Sequence, residues 1–326
     1  MIWICILLLY LQHFVEGNIA CPSFTKLQFP PNVIGPEALA FDARGGGPYA
    51  GVVDGRILRY QGPGVGFLDY ATTSPFRTKQ LCDGANSSAA STCGRPLGLG
   101  FNFKTGELYV LDFKFGFLVV PPGGGLATQL ATGFNGTTFV FPNALDIDQA
   151  NQIVYFTDAG AIFLSRNLST IIQSNDTSGK LYKYDVRTKT LSLLLNGLSG
   201  PLGVAVSKCG AYVLIDEYIA SRVRRYWVRG PKAGSSEISV NLPGSPDNIK
   251  RTISGDFFAA VTILNRHTFQ TTSSVGQRIN GDLGIVEATM NLTAQYTNNL
   301  ISEVQEFLGK LYIGSSTASF VGVYGP

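Results

Sequence analysis

Residues 141–158 read FPNALDIDQANQIVYFTD. Ala144, Leu145 and Ile147 begin an apolar strand, and Asp148-Gln149-Ala150-Asn151 make a tight polar turn. Ile153, Val154, Tyr155 and Phe156 are β-branched or aromatic and make a second strand. Residues 179–184 (GKLYKY) supply a third, and 191–195 lie beyond it.

The same grammar recurs on both sides of this stretch. It is found at 37–60, at 95–120, at 200–228, at 246–286 and at 301–324. Each copy opens on a turn, often with Pro, and runs through an apolar strand, a polar or Gly turn and a second apolar strand. A third strand follows, often of the form G-x-(I/L)-x-(R/K)-Y, as at 55–60 and 179–184. Openings recur about every 40–60 residues, the period of propeller blades. One small sheet cannot bury both faces, but six stacked around an axis can. The expected fold is all-β, a six-bladed β-propeller. One or two β-sandwiches would not account for a repeat of whole strand triplets. The segments 67–92 and 163–178 fall between strands and are expected as rim loops, the second with a turn or two of helix.

Composition agrees. The chain has 326 residues, 45% hydrophobic and 14% charged, so it can bury a large core. It carries 38 Gly, 16 Pro, 14 Tyr and 21 Phe, which favours short strands and turns over long helices. The net charge of +3 is small and its Lys and Arg are scattered, which argues against a nucleic-acid partner. A small-molecule ligand in the propeller tunnel of a monomer is the expected partner.

Residues 1–17 carry a short apolar run ending in Val15-Glu16-Gly17 and are expected as an export signal, leaving 18–326 as a single domain. The run is shorter than the about 20 residues a membrane-spanning helix needs. Of five Cys, Cys5 lies in the signal. Cys82 and Cys93 flank the polar loop DGANSSAAST and are expected to form a disulfide in an oxidising compartment. Cys21 and Cys209 either pair or stay as thiols. Sequons at Asn86, Asn135, Asn167, Asn175 and Asn291 fit an exported glycoprotein.

Longer stretches carry a family resemblance. Residues 109–132 (YVLDFKFGFLVVPPGGGLATQLAT), 153–159 (IVYFTDA), 178–195 (SGKLYKYDVRTKTLSLLL), 225–237 (RYWVRGPKAGSSE), 246–251 (PDNIKR) and 301–314 (ISEVQEFLGKLYIG) resemble the plant strictosidine synthase-like family. Residues 54–63 and the Cys82/Cys93 pair fit it too, so the resemblance spans nearly all of 30–324. It implies a six-bladed propeller and a vacuolar or extracellular glycoprotein. It also implies a condensation of an amine with an aldehyde in alkaloid biosynthesis. The glutamate that the family uses as base aligns with Ser302, and its pocket histidine with Leu300. A hydroxyl takes no proton near neutral pH without an activating partner. Glu303 is the fallback carboxylate, but in a regular strand it faces away from Ser302.

The wider fold class includes lactonases and esterases that hold calcium in the tunnel with oxygen donors at the starts of inner strands. By that resemblance the donors here are Glu37, Asn143, Asp247 and Asn248, with Leu202 where relatives have Asn or Asp. The implied site is an incomplete one for Ca2+, a hard cation that prefers oxygen. If bound, the ion would polarise an ester or lactone carbonyl. In the alternative reading, these four are hydrogen-bonded turn residues near the axis. His267 is expected on a rim, and Asp216-Glu217, after a strand end near the tunnel mouth, as a solvated pair. Three functions remain open on the sequence: a hydrolase acting on esters or lactones, an amine–aldehyde condensation, and a propeller that binds a ligand or partner without catalysis.

Overall fold

The computed structural model describes residues 23–85, 87–165, 167–265, 267–297 and 299–325. The expected export signal, Cys21 and the sequon at Asn86 lie outside the described residues. The repeating stretches fold into six antiparallel sheets around an axis, with a two-stranded hairpin at Gly133–Phe134 and Thr137–Thr138 beside them. Counting from the axis outward, the first blade is Leu39–Ala40, Tyr49–Gly51, Arg56–Tyr60 and Phe67–Thr72. The second is Pro96–Phe101, Leu108–Asp112, Gly116–Val120 and Thr128–Ala131. The third is Pro142–Asp148, Ile153–Asp158, Gly179–Asp185 and Thr190–Leu198. The fourth is Pro201–Val206, Tyr212–Glu217, Arg222–Trp227 and Ser236–Asn241. The fifth is Ser245–Arg251, Phe257–Leu264, Thr271–Ile279 and Val286–Asn291.

The sixth blade joins the two ends of the chain. Ile301–Phe307, Lys310–Ser315 and Phe320–Gly325 supply its three inner strands, and Ser23–Gln28 adds the outermost. The register runs from Ser23 opposite Gly325 to Gln28 opposite Phe320. This strand closes the ring through main-chain hydrogen bonds and leaves the sixth blade no unpaired third strand.

The core is a set of layers between neighbouring blades. Ile57 of the first blade packs with Leu99, Val110 and Leu118 of the second, while Leu58 faces the other way, towards Val321 of the sixth. Tyr109 and Phe117 of the second blade meet Phe156 and Tyr182 of the third. Both faces of each inner strand are therefore buried, which is why these strands read as continuous apolar runs without alternation.

Two segments differ from the sequence reading. Residues 67–92 are not all loop: Phe67–Thr72 is the outer strand of the first blade, and Gly125–Leu126 adds to its free edge in parallel. An outer strand lies half in solvent, and Leu68 and Asp69 are both exposed there, so the apolar signal is lost. Beyond it lie two short helices, Lys79–Cys82 and Ala90–Cys93, joined by the Cys82–Cys93 disulfide. The loop holding His267, expected over 265–277, ends by Gln270, because Thr271–Ile279 is a strand. As expected, 163–178 carries a short helix, Leu168–Gln173, capped by the Asn167 side chain. No helix among the described residues is long and apolar enough to cross a membrane.

Candidate functional site

The inner strands share a deformation. In the second to sixth blades the register slips near the start of the inner strand, between Pro96 and Gly98, Pro142 and Leu145, Pro201 and Gly203, Pro246 and Ile249, and Ile301 and Glu303. These are β-bulges, which insert an unpaired residue and re-aim its side chain. Pro suits the spot because it has no N–H to give to a ladder. The residue after the opening Pro, or after Ile301 in the sixth blade, is thus set at the axis. Around the ring these are Glu37, Leu97, Asn143, Leu202, Asp247 and Ser302.

The next position is cramped. A Cβ on Gly98 would lie 2.5 Å from the Asn143 carbonyl oxygen, and one on Gly203 would lie 2.5 Å from that of Asp247. Four blades place Ala38, Gly98, Ala144 or Gly203 there, while the fifth and sixth carry Asn248 and Glu303. The bulge overturns the expectation that Glu303 faces away from Ser302. Ser302 Oγ donates to the Glu37 carbonyl oxygen at 2.7 Å, and Glu303 Oε1 accepts from Leu39 N at 3.0 Å. Both side chains reach the same inner segment of the first blade.

The other predicted donors also converge. Asn143 Nδ2 donates to the Leu202 carbonyl oxygen at 2.7 Å, and Asn248 Nδ2 to that of Glu37 at 3.4 Å. Sequence reasoning missed the partner of Glu37. Arg95, the residue before Pro96, places Nη2 3.3 Å from Glu37 Oε2 and donates through Nη1 to the Gly35 carbonyl oxygen at 2.8 Å. Both side chains are buried. The available signal was a lone Arg inside the apolar opening RPLGLG.

Above this polar floor is a cavity of about 360 Å³. Glu37, Arg95, Asn143, Leu202 and Asp247 form its base, and Phe113, Phe141, Phe163, Leu164, Ile171 and Tyr218 line its walls. The walls come from loops that leave the second to fourth blades. Phe163, Ile171, Leu202 and Tyr218 form one apolar cluster, which fixes the short helical turns Ala161–Ser165 and Leu168–Gln173 over the mouth. Ala90 lines the cavity from the disulfide loop. That loop is tied down from below: Asp83 pairs with Arg77, and Gly84 N donates to Asp54 Oδ2 at 2.9 Å. A second cavity, of about 180 Å³, lies at later positions of the inner strands, among Asp146, Lys250, Arg251 and Gln305.

Several carboxyl groups lie near the axis. Burial pushes Glu37 above the ordinary carboxylate range, and Arg95 pulls it back. Burial raises Asp247 well above that range, and the neighbouring Glu37, Asp216 and Glu303 raise it further. Asp216 is fully buried, both of its oxygens lack a partner among the described residues, and burial alone raises it well above its usual value. This overturns the reading of Asp216-Glu217 as a solvated pair. Glu217 is also buried and is held by Arg222 at 2.6 Å and Arg224 at 3.1 Å. Glu303 is pushed up to about 7 by burial, against the pull of Lys250, whose Nζ is 3.2 Å from Oε2. It contributes to the wall of neither cavity, so the fallback base is shut away from any ligand in the upper one.

A divalent cation does not fit the floor as it stands. Glu37 already holds a guanidinium and Leu202 presents an apolar side chain, so that Oδ1 of Asp247 and Oδ1 of Asn248, which have no partner among the described residues, are left without the rest of a ligand set. Among the described residues, no group of three or more His, Cys, Asp or Glu is placed to hold a metal. Elsewhere, the sequon residues Asn135, Asn167, Asn175 and Asn291 are all exposed, and Cys209 is exposed and forms no disulfide among the described residues.

Comparison with known proteins agrees with this geometry. Residues 143–231 match the strictosidine synthase family model, and 25–60 match the strictosidine synthase-like N-terminal model. The Arabidopsis thaliana protein strictosidine synthase-like 12 is 42% identical over 319 residues, covering 98% of this chain and 94% of its own. Strictosidine synthase of Catharanthus roseus is 35% identical over 306 residues, covering 93% and 86%. Among solved structures, a gluconolactonase from Xanthomonas campestris superposes with a TM-score of 0.65 at 13% identity, covering 93% of this chain and 89% of its own. A luciferin-regenerating enzyme superposes at 0.64 with 12% identity, covering 94% and 96%. At such identities these two structures speak to the propeller fold alone. The relatives, matched along nearly their whole length, speak to descent: this chain belongs to the strictosidine synthase-like family.

Proposed function

We propose that this propeller is an exported small-molecule hydrolase that cleaves an ester or lactone in the upper cavity. One observation carries the reading: an apolar, aromatic-walled cavity closes over a floor where Glu37, Arg95, Asn143 and Asp247 converge. Such a cavity suits a ligand with an apolar body and one polar group. Condensation of an amine with an aldehyde is disfavoured. Ser302 has its hydroxyl bound to a main-chain carbonyl, and Glu303 is out of reach.

Glu37 and Asp247 divide the proton work. A carboxyl that stays protonated serves as acid, and one held closer to ionisation serves as base. Arg95 keeps Glu37 nearer to ionisation. The oxygen of water bonds to the acyl carbon as Glu37 takes a proton from it. The acyl C–O bond then breaks as Asp247 gives its proton to the leaving oxygen, and the Glu37 proton resets the pair. The products are a carboxylic acid and an alcohol, joined in one molecule when the substrate is a lactone. The gluconolactonase and luciferin-regenerating names of the structural neighbours belong to those proteins and only suggest which substrates to try first. The disulfide and the exposed sequons support passage through the secretory pathway to the vacuole or extracellular space.

The test is a panel of aryl and alkyl esters and lactones against the purified chain and its Asp247→Asn variant. Turnover lost on that change supports the reading. No turnover on any ester or lactone, with strictosidine formed from tryptamine and secologanin, would replace it with condensation. No turnover of either kind would leave a propeller that binds without catalysis.

A further inference from the structure

We propose that the axial cation of this site is the Arg95 guanidinium and not a metal ion, and that it holds the carbonyl oxygen of an uncharged ligand. The second half rests on the hydrolase reading above; the first does not. Three observations meet here. Arg95 Nη2 lies 3.3 Å from Glu37 Oε2, with both side chains more than nine-tenths buried, so the carboxylate that would anchor a metal is already neutralised. Leu202 puts an apolar side chain at a ring position from which an oxygen donor would be needed. Arg95 also forms part of the cavity base, so its charge faces the ligand space.

The positions of the two charges explain why they exclude a second cation. Arg95 is pinned at its other end by the Gly35 carbonyl, which precedes Pro36-Glu37. It therefore cannot swing aside without leaving that carbonyl and Glu37 unpaired in a buried place. A dication set against Glu37 would also meet a fixed positive charge at contact range, where low dielectric strengthens repulsion. A guanidinium has five N–H donors, and these bonds use two of them. The rest suit a neutral oxygen acceptor such as an ester or lactone carbonyl. A free carboxylate is less suitable, because Glu37 and Asp247 stand beside it.

The experiment uses the full chain purified without chelator. Elemental analysis should find no stoichiometric calcium, and calorimetric titration with calcium chloride should give no binding heat. One calcium bound per chain overturns the proposal. Arg95→Gln/Leu202→Asn removes the guanidinium and restores an oxygen donor. This protein, if folded by circular dichroism, should gain a calcium-dependent rise in Tm. A folded double variant as indifferent to calcium as the natural chain also overturns it. Arg95→Lys keeps the charge but loses the planar fork. It should stay silent to calcium and bind the aryl lactone dihydrocoumarin about tenfold more weakly; unchanged affinity overturns the carbonyl-holding role. Metal binding is read without turnover, so a chain that excludes calcium yet hydrolyses nothing sinks the hydrolase reading alone.

Discussion

The Ser302 hydroxyl donates to the main-chain carbonyl of Glu37, 2.7 Å away across the seam between the sixth and first blades. The residue expected at the position of the family's base is therefore a stitch that helps close the ring. Ser302→Ala should leave ester or lactone turnover within about threefold and lower stability by about 1 kcal/mol, the net worth of one hydrogen bond. Steady-state kinetics and urea unfolding check this. A loss of turnover above about a hundredfold would make Ser302 part of the chemistry.

Glu37→Gln and Asp247→Asn should each lower kcat/KM by about a hundredfold, the usual size of a general acid–base contribution. Their stabilities should diverge. Glu37→Gln leaves Arg95 buried without its counter-ion, a loss of about 3–5 kcal/mol. Asp247 has a raised pKa when folded, so the stability it contributes is present at acid pH and is lost as pH rises. Asp247→Asn should therefore be at least as stable as the natural chain at alkaline pH. Denaturant titrations at two pH values separate the pair.

Glu303 sets a second pH dependence. Its carboxyl is raised from 4.5 to about 7 in the folded chain. Its contribution is thus full below pH 4.5 and is lost as pH rises through 7, by roughly 3 kcal/mol in all. The chain should be more stable at pH 5 than at pH 8, and Glu303→Gln should flatten that slope. Thermal melts across this range give the answer, and an unchanged slope in Glu303→Gln would remove Glu303 from the account.

Reduction of Cys82–Cys93, or its replacement by Ala at both positions, should cost about 2–3 kcal/mol for a loop of this size. The loop carries Ala90 on the cavity wall, so ligand affinity should fall together with stability. Equal ligand affinity in the reduced and oxidised chain would show that the loop shapes nothing in the site.

Removal of residues 23–28 should open the ring. The strand Ser23–Gln28 is the fourth of the sixth blade, and Phe24 packs edge-on to Tyr296 and Phe320. The truncated chain should lose cooperative unfolding and bind a hydrophobic dye. A sharp, unshifted melting transition would show that the ring closes without this strand.

Much of the fold was legible in the residues. Pro36, Pro96, Pro142, Pro201 and Pro246 open five inner strands, and the apolar pairs behind them, such as Leu145 and Val154, repeat because each blade must bury both faces. Outer strands were harder to see, because Leu68 and Asp69 lie half in solvent and Ser23–Gln28 is separated from its partner strand by nearly the whole chain. Glu37, Asn143 and Asp247 stand at one position of the repeat and Asn248 at the next, so the repeat by itself places them near one another.

What their meeting amounts to was decided by tertiary structure alone. Strand alternation sends Glu303 away from Ser302, but a bulge turns both towards the first blade. The partner of Glu37 is Arg95, 58 residues along and in the next blade, where no local pattern links the two. Asp216 and Glu217 are adjacent acids, yet one has no partner among the described residues and the other is clamped by two arginines. Periodicity arises from burial repeated along the chain, and a sequence records it directly. The charge at the axis arises from side chains brought together by closing the ring, and only the closed ring shows which of them pair.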